Sequence, residues 1–335
     1  MVEHLTENQG VASSNLALGT NPTVIKKRPF RFSVQEHVAQ SASQWRDRAR
    51  AIESMGYSTL YLPDHFGDQV GPIAGLMAAA DATTTLRIGT LVFDNDYRHP
   101  VVLAKEAASL DLLSDGRFDF GIGAGWMITD YEQAGIPYDT PGTRIERLAE
   151  ALKIFKAFFA GGEVSFTGKH YKVTGLNAAP RPVQKPHPPI VLGGGGRKML
   201  ELAAREADTI NVNFDLRTGR PGRRTARSGL AEATDEKLTW IKEAAGDRLD
   251  AIEIGAWTLF ASVTDDRDSV ASMLAPSMGV EPADVLAIPH VMVGTLDQIA
   301  EDIVARRERF GISHVLVPDG SAEELAPVVE RLTGR

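Results

Sequence analysis

The chain has no cysteine among its 335 residues. Disulfides, thiolate nucleophiles, zinc–thiolate centres and iron–sulfur clusters are therefore excluded. It also lacks any run approaching the ~18 consecutive apolar residues of a membrane-spanning helix. Basic residues are in deficit: 36 Lys and Arg against 44 Asp and Glu give a net charge of −8. That is the wrong sign for a protein whose main partner is nucleic acid. The stretch from Met1 to Thr23 has no basic start followed by an apolar run, so it does not read as a secretory signal. No tandem repeat or low-complexity tract is present.

What is there is an alternation. Residues 1–28 read as a weakly ordered extension, and 29–335 as a single domain. From Arg31 onward, short β-rich runs alternate with stretches whose apolar residues recur every three or four positions. Trp45, Ala49, Ile52 and Met55 form one such stripe; Ile145, Leu148, Leu152, Phe155 and Phe159 form another. Strands are expected near residues 30, 60, 90, 120, 190, 210, 257 and 315, nearly all followed by helices. Val164–Thr174 reads as a small hairpin, 214–232 as a loop rich in arginine, and 265–288 as a variable helical region. Repeated βα alternation implies a parallel sheet with helices outside, and eight units favour a closed (β/α)8 barrel, a TIM barrel with insertions. Chemistry then belongs at the C-terminal strand ends.

Those ends carry distinctive residues. The second strand runs into Asp64 and His65. Histidine titrates near neutrality and can give or take a proton; spacing alone leaves that reading level with a merely packed His65. The third passes from Thr90-Leu91-Val92-Phe93 to the polar Asp94-Asn95-Asp96. A turn with side chains bonded to backbone accounts for the two aspartates better than a metal site. The fourth ends in Gly123-Ala124-Gly125-Trp126. The dinucleotide fingerprint would need glycine where Trp126 stands, so the glycines either admit a flat ligand or make a tight turn.

The fifth ends in Gly193-Gly194-Gly195-Gly196, followed by Arg197 and Lys198 at a helix start. Unobstructed amides at a helix N-terminus bind phosphate. No His-Glu-x-x-His zinc signature, G-x-S-x-G elbow or P-loop appears.

Taken in order, these residues resemble the luciferase-like superfamily of flavin- and deazaflavin-dependent barrels. The resemblance runs from about Arg31 to Pro318. Its carriers include Leu62-Pro63-Asp64-His65, Tyr97-Arg98-His99-Pro100, Ser114-Asp115-Gly116-Arg117, Gly121 to Trp126, Gly193 to Gly195 and Val293-Gly294-Thr295. Asn211 to Arg217 and the helix from Lys237 to Gly246 are most similar to the branch using the deazaflavin coenzyme F420.

The resemblance implies a ring across the barrel mouth, a cis bond between Leu91 and Val92 beneath it, and Asp64 bonding the ring edge. His65 faces the substrate, and Gly193–Gly196 with Arg197 hold the phosphate. Thr90, Leu91, Val92, Asn95, Gly123, Ala124 and Trp126 complete the implied cofactor set. It further implies a homodimer that transfers a hydride between F420 and a small organic substrate, with no metal; the lack of cysteine fits a cytoplasmic protein, and the charge and the missing apolar span leave no nucleic acid or membrane partner. An FMN-dependent monooxygenase and a non-catalytic flavin-binding barrel are the alternatives. In one respect the chain departs from the pattern: the family's sugar-phosphate dehydrogenases have a glutamate where this chain has Trp126.

Overall fold

The structure, a computed structural model, describes residues 25–335. The extension expected over 1–28 falls outside the described residues as far as residue 24. Within the rest of it, Ile25 is buried and Lys27 pairs with Glu308.

Eight parallel strands close into a barrel: β1 (Arg31–Gln35), β2 (Thr59–Leu62), β3 (Arg87–Thr90) with its short continuation β4 (Phe93–Asp94), β5 (Phe118–Gly123), β8 (Ile190–Gly194), β9 (Thr209–Val212), β10 (Glu253–Trp257) and β13 (Ile312–Pro318). Between β5 and β8 the hairpin β6 (Gly162–Thr167) and β7 (Lys172–Ala178) projects. Between β10 and β13 a parallel pair forms, β11 (Phe260–Val263) and β12 (Val291–Gly294). Pairing of β3 with β5 and of β1 with β13 closes the ring.

Local sequence sets the helices. Ser41 caps Ala42–Ser54 by accepting from the amide of Gln44. Proline occupies the first turn of the helices Pro72–Ala82, Pro100–Leu113 and Pro141–Ala160, where no amide donor is needed. Thr295 and Gln298 form a reciprocal capping box on Leu296–Phe310. The predicted stripes face inward: Phe155 and Phe159 pack edge-on against Phe120 of β5 at centroid distances of 5.0 and 5.6 Å. No helix among the described residues is long and apolar enough to cross a membrane.

The barrel floor is polar. Arg31 pairs with Asp119 at 3.2 Å and with Glu253 at 2.6 Å, and Tyr61 donates to Asp119 at 3.0 Å. The neighbouring guanidinium groups of Arg87 and Arg31 hold the buried Asp119 below its ordinary pKa despite desolvation, which acts the other way and more strongly than any single partner. Satisfied ion pairs at this end leave the opposite, C-terminal end as the place where the interior opens.

Two elements differ from expectation. The segment 214–232 is not all loop, because Arg223–Arg227 forms a short helix. The strand expected near residue 257 is followed at once by another: the chain leaves the barrel after Trp257 and starts the separate β11–β12 pair, which packs on Ala271, Ala275 and Val285 of the next two helices.

Candidate active site

One cavity of about 410 Å³ occupies the C-terminal mouth of the barrel. Its walls come from the ends of β1, β2, β4, β5, β8, β9 and β10 and the segments that follow them. This is where a (β/α)8 barrel places its chemistry.

His65 and Asp64, straight after β2, both line it. The Nδ1 atom of His65 lies 2.6 Å from Oδ2 of Asp130. Asp130 stands in the first turn of the helix Ile128–Ala134, is buried, and also accepts from the Tyr97 hydroxyl at 3.3 Å. The imidazole ring meets Trp126 edge-on at 5.8 Å. With Nδ1 donating to a carboxylate, Nε2 is the nitrogen left to act; it has no partner among the described residues.

Asp64 has a different part. Both its oxygens accept from Arg98, at 2.5 and 3.0 Å, and Oδ2 also accepts from the amide of Asp94 at 3.1 Å. The pair therefore ties the end of β2 to the bulge after β3. Asp64 also reaches the cavity wall, at the mouth where the resemblance placed it.

The peptide bond between Leu91 and Val92 is cis, at the position the resemblance implies, and both residues line the cavity. Gln35 donates to the Leu91 carbonyl at 2.9 Å. Behind this wall sits Asp94, which accepts from the Tyr131 hydroxyl at 2.9 Å and from the amide of Asp96 at 2.9 Å. Burial pushes its carboxyl up to about 7, and the nearby Asp96 and Asp64 act in the same direction. Asp96 is paired with Arg147 at 2.9 Å.

Gly123, Ala124 and Trp126 line the cavity beyond β5. The buried Arg144 holds this turn, donating from Nε to the Ala124 carbonyl at 3.1 Å, with its guanidinium 4.1 Å from the Tyr138 ring centroid.

Gly193, Gly194, Gly195 and Gly196 form the facing wall. The helix Arg197–Glu206 that follows has no side-chain cap, so its first amides are open to an anion. Two of the glycines are tightly seated: a Cβ on Gly195 would fall 2.3 Å from the Phe214 carbonyl carbon, and one on Gly194 would fall 2.5 Å from Met199 Cγ. Beside them Asp215 is held below its ordinary pKa, against desolvation, by Arg217, whose Nε lies 2.6 Å away; both residues line the cavity.

Three of the residues expected to contact the cofactor do not line the cavity. Thr90 is fully buried and donates to the Gly121 carbonyl at 2.6 Å, one residue below the rim. Asn95 is buried behind the wall and donates to the Tyr171 hydroxyl at 3.1 Å. Arg197 turns outward to Glu201 at 2.8 Å and the Trp240 face, as a first-turn side chain with a partner four residues on does. The arginines that do line the cavity are Arg144 and Arg217. Asp130, Arg98 and Arg144 were not singled out from sequence for these roles; their only local signal is an acidic or basic residue just inside a helix or just before one.

A flavin-type ligand fits this lining on two observations. Gly195 cannot carry a side chain, and an uncapped helix start with Arg217 nearby suits a phosphate.

Comparison with known proteins agrees with the fold. Residues 27–286 match the luciferase-like monooxygenase family. An uncharacterised protein of Mycobacterium tuberculosis (strain ATCC 25618 / H37Rv) is 29% identical over 314 residues, covering 86% of this chain and 92% of that protein. The F420-dependent glucose-6-phosphate dehydrogenase of Amycolatopsis mediterranei is 26% identical over 269 residues, covering 76% and 77% respectively. The structure of the coenzyme F420-dependent tetrahydromethanopterin reductase from Methanopyrus kandleri superposes with a TM-score of 0.72 at 17% identity, over 91% of this chain and 98% of that one. With its closed eight-stranded barrel and most of its length matched, the chain belongs to the luciferase-like monooxygenase family and is an oxidoreductase barrel of the flavin and deazaflavin type.

Proposed function

We propose that this protein transfers a hydride between coenzyme F420 and a small organic substrate, an unsaturated carbonyl, an imine or an alcohol, with His65 moving the accompanying proton. The observation that carries the reading is the His65–Asp130 pair, placed in the same cavity as the glycine cradle. The F420-dependent relatives support the choice of coenzyme.

When bound, a deazaflavin exchanges a hydride at C5 and reacts poorly with oxygen. The glycines 193–196 would hold its phosphate and Arg217 the acidic tail. Leu91, Val92 and Gly123 would support the ring. What the chain itself adds is the proton. Reduction of a C=O, C=N or polarised C=C bond by hydride requires one proton, and oxidation of an alcohol releases one. Asp130 holds the Nδ1–H of His65, so Nε2 accepts a proton in the neutral ring and donates one in the imidazolium. The Asp130 carboxylate fixes the ring's orientation through Nδ1, as the buried acid does in other histidine-based sites. Trp126 fills the position of the glutamate in sugar-phosphate dehydrogenases, which argues for a less polar substrate than a sugar phosphate.

The test is anaerobic oxidation of reduced F420, followed by its absorbance, with a panel of enones, imines and ketones. Turnover with any of them that is lost in His65→Ala supports the assignment. Turnover that needs FMN and oxygen instead would replace it with the monooxygenase alternative.

A further inference from the structure

The segment between β9 and the helix Ala231–Ala245 carries Asn213, Phe214, Asp215, Leu216 and Arg217 into the cavity wall. Its two ends are tied by one side chain. Lys237, in that helix, is buried, and its Nζ donates to the Asn213 carbonyl at 2.7 Å and to the Ser228 carbonyl at 2.5 Å. A second tie lies alongside, where the amide of Asp215 donates to the Ser228 hydroxyl at 2.8 Å. No carboxylate lies within ion-pair distance of Nζ among the described residues.

The segment is also seated tightly. Gly195 backs the Phe214 backbone, a Cβ on Gly229 would fall 2.3 Å from the Phe214 ring, and the ring lies 4.5 Å from that of His290. A buried ammonium that bonds only carbonyls is an expensive fastening, and here it fastens a wall of the cavity that is not a barrel strand end.

We propose that Lys237 is a positioning residue: its Nζ latches the 213–228 segment over the glycine cradle, and loss of the buried positive charge tightens that closure. The effect on ligand binding rests on reading the cavity as a ligand site; the latch itself does not. Burial pushes the Lys237 pKa down to about 8, and Asp215 and Glu236 partly restore it. His290, from the turn before β12, is pushed by burial to about 3 and is neutral throughout. Arg309 of the helix Leu296–Phe310 is occupied by Asp235, and Arg197 by Glu201.

The sign follows from linkage. Opening the segment returns Lys237 to water and toward its ordinary pKa of 10.5. Between about 8 and 10.5 the open state therefore binds more protons than the closed one, so rising pH favours closure.

Hydrogen exchange of the full-length protein, corrected for intrinsic rates, tests this. Protection of amides in 213–229 should rise about 30-fold between pH 7 and 9.5, and the rise should be absent in Lys237→Met. In Asp215→Asn, which removes a charge that favours the ammonium, the midpoint should move to lower pH; this variant decides the matter if Lys237→Met does not fold. A flat wild-type profile, a rise that persists without Lys237, or an unmoved midpoint in Asp215→Asn overturns the proposal. The affinity for F420 should follow the same profile. Protection that rises while affinity does not leaves the latch standing and counts against the cavity as the coenzyme site.

Discussion

His65 and Asp130 meet at 2.6 Å although 65 positions separate them in the chain. The end of β2 supplies the imidazole and the helix after β5 supplies the carboxylate, so neither residue marks the other in sequence. His65→Ala should lower turnover by ~10²–10⁴, the range for removal of a proton-transferring group. Asp130→Asn should lower it less, because the imidazole remains. Steady-state rates with F420 affinity measured alongside check this; affinity should change little in either variant. Equal turnover in His65→Ala and wild type would remove the residue from the chemistry.

The cradle admits no side chain at Gly195. Gly195→Ala places its methyl 2.3 Å from the Phe214 backbone, so either the glycine turn or the 213–217 wall must shift. Ligand affinity should fall at least about tenfold, equivalent to ~1.4 kcal/mol, while the circular dichroism spectrum stays that of a folded barrel. Isothermal titration with F420 reads the change.

Much of this was legible in the chain. All eight barrel strands follow from the alternation of β-rich runs and helical stripes, because each strand is buried on both sides and each helix shows one apolar face. The Asp64-His65 pair and the four glycines stand out because they interrupt apolar strand ends. What was not legible depends on direction. Thr90 and Leu91 are neighbours, yet one bonds the next strand and the other lines the cavity. Arg197 looks like an anion ligand by position, but its side chain has a glutamate four residues along the same helix. The β12 strand was hidden in a segment without clear periodicity. It forms against β11 only after the chain has left the barrel.

Asp94 gives a stability signature. Its folded pKa of about 7 lies above the ordinary carboxylate value of 3.8 because the group is buried. Between those values the folded protein binds more protons than the unfolded one, so this group makes stability fall as pH rises from about 4 to 7. Asp94→Asn removes the buried charge and keeps an acceptor for Tyr131. The difference in Tm between this variant and wild type should grow in the variant's favour from pH 5 to pH 8. A difference that is constant with pH would contradict the assignment.

The Arg98–Asp64 pair is mostly withdrawn from water, with side-chain exposures of 23% and 6%. Removing one partner leaves the other buried and unpaired. Arg98→Ala should cost about 3 kcal/mol in urea unfolding, and should weaken ligand binding because the β2 end and the Leu91–Val92 wall lose their common clamp. Full stability together with unchanged binding would show that the clamp has no such role.

The central claim is that this cavity is built for a deazaflavin. Equilibrium binding of the purified protein to F420 and to FMN, measured side by side by fluorescence, tests it most directly. The account predicts tighter binding of F420, at micromolar Kd or below, weakened by Arg217→Ala through loss of contact with the acidic tail. Preference for FMN, or binding of neither, would contradict it.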